Sequence, residues 1–247
     1  MVLNLQTWAV VETFWDYRRR KATWRPRGGG RNASPMIHKC LSMKILLWNC
    51  RGAGNPNFRR NFATLMRYHH PAIVVLVETC ISGQCAASDS MALGFDRVIR
   101  SDVMGFSGGI WLLWNSAQVQ LDVLTVSNQF IHASVQVNSS NSFWLFSAIY
   151  ASPSFESRLE LWDHLVSFAA THSLPWLVAG NFNKILSSNE KFNTTPASQR
   201  RMSTFRNCLN TCNLLDLGFN GPRFTWTNKR PNGLVMERLD KVLCNPT

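Results

Sequence analysis

The stretch LVAGNFNKIL, residues 177–186, predicts a buried strand that runs into the polar segment Asn181-Phe182-Asn183. Apolar runs without alternation are typical of strands that are covered on both faces. Three further runs of this kind end in a polar side chain: KILLWN (44–49) in Asn49, AIVVLVE (72–78) in Glu78 and FWLFSAIY (143–150) in Tyr150.

Segments with helical spacing of apolar residues lie between these runs. They are NFRRNFATLMRYH (57–69), FESRLELWDHLVSFAATH (155–172) and MSTFRNCLNTCNLLDL (202–217). GGIWLLW (108–114) and FIHASVQV (130–137) add two more strands. Covered strands that alternate with helices predict a layered α/β domain, and 247 residues with 45% apolar content can form one sizeable core.

The positive charge of the chain is concentrated at its beginning. The formal net charge is +12, and residues 1–43 hold 8 Lys/Arg against 2 Asp/Glu. RRRKATWRPRGGGR (18–31) combines seven basic residues with Gly and Pro, which oppose regular structure. We therefore predict a basic, mostly disordered extension over 1–42 and a folded domain over 43–247. The tract is either a nuclear-import or nucleic-acid-binding segment or an incidental leader before Met43.

Seven cysteines without a CxxC pair indicate reduced core thiols rather than a disulfide framework. No apolar run approaches the length of a membrane span, and no basic region precedes an apolar start as in a secretory signal. We therefore expect a protein that is not secreted and has no membrane partner. Its location is the nucleus or the cytoplasm, and the basic tract favours the nucleus.

The polar strand ends are candidate functional residues, because crevices at the carboxyl ends of strands are common ligand sites in α/β folds. Glu78 is the one carboxylate among them and follows a run of apolar residues. Carboxylate oxygens suit Mg²⁺, so Glu78 is a candidate metal ligand. A helix or turn cap is the alternative interpretation of this glutamate.

Seven motifs in order carry a family resemblance: WNCRGAGNP (48–56), LVET (76–79), GFSGGIWLLW (105–114), AIYASP (148–153), LVAGNFN (177–183), GFNGPRFTWTN (218–228) and ERLDKVL (237–243). They resemble the endonuclease/exonuclease/phosphatase (DNase I-like) superfamily, and most of all the endonuclease domain of plant LINE-type retrotransposons. The resemblance implies a four-layer α/β sandwich and a Mg²⁺-dependent DNA-nicking activity, with Mn²⁺ as an alternative ion and no small-molecule cofactor. It also implies that DNA or RNA binds in the family cleft.

The resemblance also implies roles for single residues. Glu78 matches the metal-binding glutamate, and Asn49 matches the asparagine that helps to place the metal and the nucleophile. Tyr150 and Asn183 match contacts to the scissile phosphate, and Asp240 matches the aspartate that orients the catalytic histidine. Thr225 and Trp226 match the segment that lines the DNA face.

Two departures from the family pattern predict impaired catalysis. Asn181 stands where the family has the aspartate that helps to activate the attacking water, and an amide cannot accept a proton as a carboxylate does. Losing a positioned acid or base costs roughly 10²–10⁴ in rate. We also expect the domain to be incomplete at the C-terminus, because the family's final Ser-Asp-His segment has no counterpart before Thr247.

Three functional hypotheses follow. The first is a DNA endonuclease by descent, and the second is a catalytically inactive protein that binds nucleic acid through its basic tract. The third is a phosphatase for small phosphoesters, which shares the fold but which the retrotransposon-like motifs oppose.

Overall fold

The computed structural model describes residues 8–16, 21–22, 41–101, 103–104, 107–192, 196–231 and 233–246, and for 8–16, 21–22, 41–42, 104 and 107 it describes the backbone alone. The helices are α1 (Phe58–His69), α2 (Gly83–Met91), α3 (Phe155–Thr171) and α4 (Gln199–Thr211), and a 3₁₀ turn spans Ser188–Glu190. The strands are β1 (Trp8–Asp16), β2 (Lys21–Ala22), β3 (Leu41–Asn49), β4 (Ile73–Val77), β5 (Arg97–Arg100), β6 (Val103–Met104), β7 (Ser107–Gly108), β8 (Ile110–Trp114), β9 (Val119–Val126), β10 (Phe130–Val137), β11 (Phe143–Tyr150), β12 (Trp176–Asn181), β13 (Lys191–Phe192), β14 (Leu215–Asp216), β15 (Trp226–Arg230), β16 (Gly233–Glu237) and β17 (Asp240–Cys244).

Two six-stranded sheets form the centre of the domain. The first has the strand order β2-β1-β3-β4-β8-β5, and the second has the order β14-β17-β12-β11-β10-β9. Each contains one parallel pair, β3 with β4 and β11 with β12, and its other pairs are antiparallel. The small sheets β13-β16-β15 and β6-β7 lie outside these two.

The core has three apolar layers because the strands are covered on both faces. Along β3, Ile45 and Leu47 pack between the sheets, whereas Leu46 and Trp48 pack with Phe58 of α1 on the outer face. Along β12, Ala179 lies between the sheets and Val178 packs with α3 and α4. The order helices, sheet, sheet, helices confirms the predicted four-layer α/β sandwich.

The helix predicted over 202–217 begins and ends earlier than expected. The Ser198 side chain accepts a hydrogen bond from the backbone N–H of Arg201 and caps the start of α4. At the other end Asn213 has a left-handed backbone conformation with φ 53°, which an α-helix cannot continue through. The chain then forms the short strand β14, which pairs with β17.

The extension over 1–42 is predicted to be mostly disordered. Within it, however, Trp8–Asp16 forms β1, which pairs antiparallel with β3. The sequence WAVVETFWD is rich in β-branched and aromatic residues, which favour strands. Its pairing also gives partners to backbone groups of β3 that would otherwise form a free sheet edge. Most of the basic tract at 18–31 lies outside the described residues, so the boundary at residue 43 stays a prediction.

The part of the chain that the structure describes contains no helix long and apolar enough to cross a membrane.

Candidate active site

Four predicted site residues lie on the inner faces of the two sheets, at strand ends. Side chains alternate between the faces of a strand, so Asn49 faces the same way as Ile45 and Leu47, which pack between the sheets. Tyr150 and Asn181 follow the same alternation along β11 and β12. Asp240 follows it along β17, where Val242 packs against the inner core. The strand pattern therefore directs these polar groups into one inter-sheet region.

Three of these residues form a row across the second sheet. Tyr150 is opposite Asn181 in the parallel pair β11 and β12, and Asn181 is opposite Asp240 in the antiparallel pair β12 and β17. Gly180 allows the close approach of β11 and β12, because a Cβ at this position would lie 2.0 Å from the carbonyl oxygen of Ile149. The row is therefore fixed by regular strand pairing.

The first sheet contributes Asn49 and Glu78 as a hydrogen-bonded pair. Asn49 Nδ2 donates to Glu78 Oε1 at 2.8 Å, and Asn49 Oδ1 accepts from the backbone N–H of Arg51 at 3.3 Å. Glu78 and Arg51 both have left-handed backbone conformations, with φ values of 56° and 49°. Such conformations cost about 1–3 kcal/mol each and are common at functional sites. Asn49 thus orients the Glu78 carboxylate on a strained turn. A helix or turn cap, the alternative interpretation of Glu78, would not require this strain.

The amides at the end of β12 stabilise a tight turn. Asn181 Oδ1 accepts from the backbone N–H of Asn183 at 2.8 Å, and Asn183 Nδ2 donates to the carbonyl oxygen of Ala151 at 2.7 Å. Burial raises the pKa of the Tyr150 hydroxyl, the charge of Glu78 raises it further, and a hydrogen bond with the Asn183 side chain opposes these effects. Asn183, Tyr150 and Glu78 therefore lie close together.

Asp240 is held by Thr225 and has an unsatisfied oxygen. Thr225 Oγ1 accepts from the backbone N–H groups of Leu239 and Asp240 at 2.9 and 3.1 Å. Asp240 Oδ1 is buried and has no hydrogen-bond partner among the described residues. Burial raises the pKa of Asp240 to about 7, a hydrogen bond with Thr225 opposes the rise, and the charge of Glu78 adds to it. Asp240 therefore belongs to the same electrostatic cluster as Glu78.

Trp226 is the predicted residue that is least integrated into this cluster. It lies at the start of β15 and packs partly against the small apolar cluster of Ile185, Met202 and Leu239. Trp226 is half-buried, and its contact with DNA stays a prediction.

Sequence reasoning did not select Arg51, which is exposed and whose charge lowers the pKa of Asp240. An arginine two residues after Asn49 in WNCRGAGNP was the available signal.

The residues present fit one hard divalent cation better than a closed metal site. The described residues contain no group of three or more His, Cys, Asp or Glu side chains arranged for a metal. Glu78 and Asp240 interact electrostatically, and neither forms a salt bridge in the described part of the chain. Mg²⁺ often binds to one or two carboxylates and takes its remaining ligands from water and phosphate, so two neighbouring carboxylates without a salt bridge suit it.

Comparisons with known proteins agree with this fold. The chain matches the sequence model of the Endonuclease/Exonuclease/phosphatase family over residues 46–247, and it therefore belongs to this family. No curated protein sequence matches the chain.

Solved structures with the same fold are similar at low sequence identity. The endonuclease domain of TRAS1, a telomere-specific non-LTR retrotransposon, has a TM-score of 0.57 at 16% identity, with 82% of this chain and 85% of that chain covered. An AP endonuclease from Leishmania major has a TM-score of 0.63 at 15% identity, with 82% and 79% covered. A 3' phosphatase from Neisseria, bound to a product DNA hairpin, has a TM-score of 0.60 at 20% identity, with 83% and 87% covered.

Proposed function

We propose that this chain is a retrotransposon-type endonuclease domain by descent, in which the DNA-nicking chemistry is lost or strongly weakened at Asn181. The observation that carries the proposal is the row Tyr150, Asn181, Asp240 beside the pair Asn49 and Glu78. The similarity of the chain to the structures of an endonuclease domain and a DNA-bound phosphatase supports a nucleic-acid phosphodiester as the ancestral substrate.

The residues of the row and their neighbours in the site each have a task that their geometry permits. Glu78, oriented by Asn49, would hold Mg²⁺ with the help of Asp240, and the bound ion would neutralise charge on the phosphate. Asn183 and Tyr150 would donate hydrogen bonds to phosphate oxygens, in the manner of preorganised donors that stabilise developing charge. Asn181 Oδ1 already accepts the Asn183 N–H, so the amide preserves the turn but provides no base for a water molecule.

The orphaned Oδ1 of Asp240 is an acceptor for a histidine N–H, the partner that the family pattern pairs with this aspartate. In a test protein of residues 1–247, an added Ser-Asp-His segment would supply such a histidine. Groups that act as a unit are not additive, so repair of one without the other gains little.

The test is a supercoiled-plasmid nicking assay in Mg²⁺, with EDTA as the control, on four proteins: residues 1–247, Asn181→Asp, the added Ser-Asp-His segment, and both changes together. We expect metal-dependent nicking only when both changes are present. Robust nicking by the unmodified chain would overturn the loss of activity. Absence of nicking from all four folded proteins would contradict the endonuclease descent of the site.

The second candidate function is nucleic-acid binding through the basic tract, which favours the nucleus as the location. Seven basic residues lie within 18–31, and binding that depends on phosphate contacts falls steeply with salt. Replacement of these seven residues by Gln keeps Trp8–Asp16 available to pair with β3. We expect this variant to lose most binding to DNA at low salt, and unchanged binding would assign the affinity to the folded domain.

A further inference from the structure

A cluster of cationic side chains lies beside the candidate active site, between the beginnings of α3 and α4. We call Arg158, Lys184 and Arg201 the cation cluster. Lys184 directly follows Asn183, and the charges of Arg158 and Arg201 both act on it. Arg201 Cζ lies 5.1 Å from the centroid of the Phe155 ring, so the first turns of the two helices are neighbours.

Arg158 links the cluster to the row of site residues. Its Nη1 donates to the carbonyl oxygens of Ser152 and Pro153 at 2.6 and 2.8 Å, in the loop that follows Tyr150. The residue is only 4% exposed, and its Nε is buried without a hydrogen-bond partner among the described residues. A buried guanidinium with an unused donor is costly unless an acceptor is supplied.

Carboxylates compensate only part of this charge. The carboxylates that act on the cluster are Glu156 and Glu237, and Glu237 also forms a salt bridge with Lys191 at 3.3 Å. Burial lowers the pKa of Lys184, and nearby cations, first of all Arg158, lower it further. An anion at this place would therefore meet an excess of positive charge.

The beginning of α3 adds to the same field. α3 starts at Phe155, and the side chain of its N-cap residue Ser154 makes no capping hydrogen bond. The first backbone N–H groups of an α-helix have no partner within the helix itself. The positive end of a helix dipole favours an anion at this position. Together with the unpartnered Nε of Arg158, this gives a site with both charge and directed donors.

We propose that the cation cluster binds a second phosphate of a nucleic-acid strand, adjacent to the phosphate held by Asn183 and Tyr150. This inference rests on the proposed function, because it concerns the same strand. The cluster would anchor the strand whether or not the chain cleaves it, since binding does not require the acid missing at position 181.

The test compares Lys184→Gln/Arg201→Gln with a matched control, Arg60→Gln/Arg67→Gln, in the full chain. Arg60 and Arg67 are exposed on α1, on the opposite side of the sandwich, and their loss changes the net charge equally. Binding of a short labelled DNA duplex and of a labelled single strand is measured by fluorescence anisotropy in EDTA between about 50 and 200 mM KCl. EDTA separates this binding test from the nicking assay.

We expect the cluster variant to bind DNA about ten-fold more weakly at low salt and to lower the slope of log affinity against log salt by about 2, while the control keeps the wild-type slope. Equal slopes and affinities for the two variants would overturn the proposal. If the cluster variant keeps DNA binding but loses binding of inorganic phosphate, the cluster binds free phosphate. This result would contradict the proposal that it binds a nucleic-acid strand. If the double variant melts at a lower temperature than the control, Lys184→Gln alone decides, with an expected change in slope of about 1.

Discussion

The two sheets contribute halves of different construction to the candidate site. The first sheet supplies Asn49 from the end of β3 and Glu78 from the irregular turn beyond β4, in a region where Arg51, Glu78 and Cys80 have positive φ values. The second sheet supplies Tyr150, Asn181 and Asp240 from within regular strand pairs. A side chain in a regular ladder can be exchanged for one of the same shape without loss of the backbone. The turn at Asn183 therefore does not require a carboxylate at position 181, where the Asn181 amide oxygen accepts its backbone hydrogen bond.

The largest effect should be a loss of stability when a side chain is added to the tightly paired backbone of the second sheet, compared with a loop of the first sheet. In Gly180→Ala the new Cβ would lie 2.0 Å from the Ile149 carbonyl oxygen, so the pairing of β11 and β12 must shift. We expect a loss of about 4 kcal/mol or more in the free energy of unfolding, measured by urea denaturation.

The control for this substitution is Gly54→Ala, in the loop that follows Asn49, where a Cβ would have its nearest neighbour at 3.6 Å from Ile81. We expect a change within about 0.5 kcal/mol there. Similar losses for both glycines would contradict the contrast between a tight ladder and a tolerant loop.

The second effect concerns the buried carboxyl of the second half. The pKa of Asp240 is raised from 3.8 to about 7, so the folded state holds a proton that the unfolded state releases, and stability falls as pH rises from about 4 to 7. Asp240→Asn removes this penalty, and we expect it to stabilise the protein by up to about 4 kcal/mol at pH 8 and to have little effect at pH 4.

Denaturation at both pH values in EDTA measures the effect, with Asp122→Asn on the exposed side of β9 as the matched control. A gain for Asp240→Asn that is the same at pH 4 and pH 8 would show that its cause is not ionisation.

The smallest effect should be stabilisation by Mg²⁺, which tests whether the ion binds at Glu78 beside the first sheet. Mg²⁺ at several times its dissociation constant stabilises the folded state by about 1 kcal/mol, which raises the melting temperature by a few degrees. We expect Glu78→Gln to abolish this rise and Asn181→Ala to retain it, because the amide brings no charge to the ion. A rise that survives Glu78→Gln would place the ion elsewhere.

The sequence predicted the elements of the fold more reliably than their ends. FIHASVQV (130–137) and FWLFSAIY (143–150) form strands with the predicted bounds, because their apolar residues are buried on both faces. The end of α4 depends on a left-handed backbone at Asn213. The strand β1 depends on pairing with β3, which lies 25 or more residues away in the chain. The basic residues, Gly and Pro that follow β1 led to the prediction that this region is mostly disordered.

By itself the sequence determined the family and most of the order of strands and helices, because each motif is local and its residue types are restricted by chemistry. It also predicted the site residues, and their roles stay a prediction. It also placed an amide at position 181. The tertiary structure decided which of these residues share an environment. Only strand register sets Asn181 between Tyr150 and Asp240. Burial, with the nearby charge of Glu78, raises the pKa of Asp240 to about 7. The cation cluster depends on packing in the same way, since Arg158, Lys184 and Arg201 come from separate segments and their repulsion arises where the helices α3 and α4 meet.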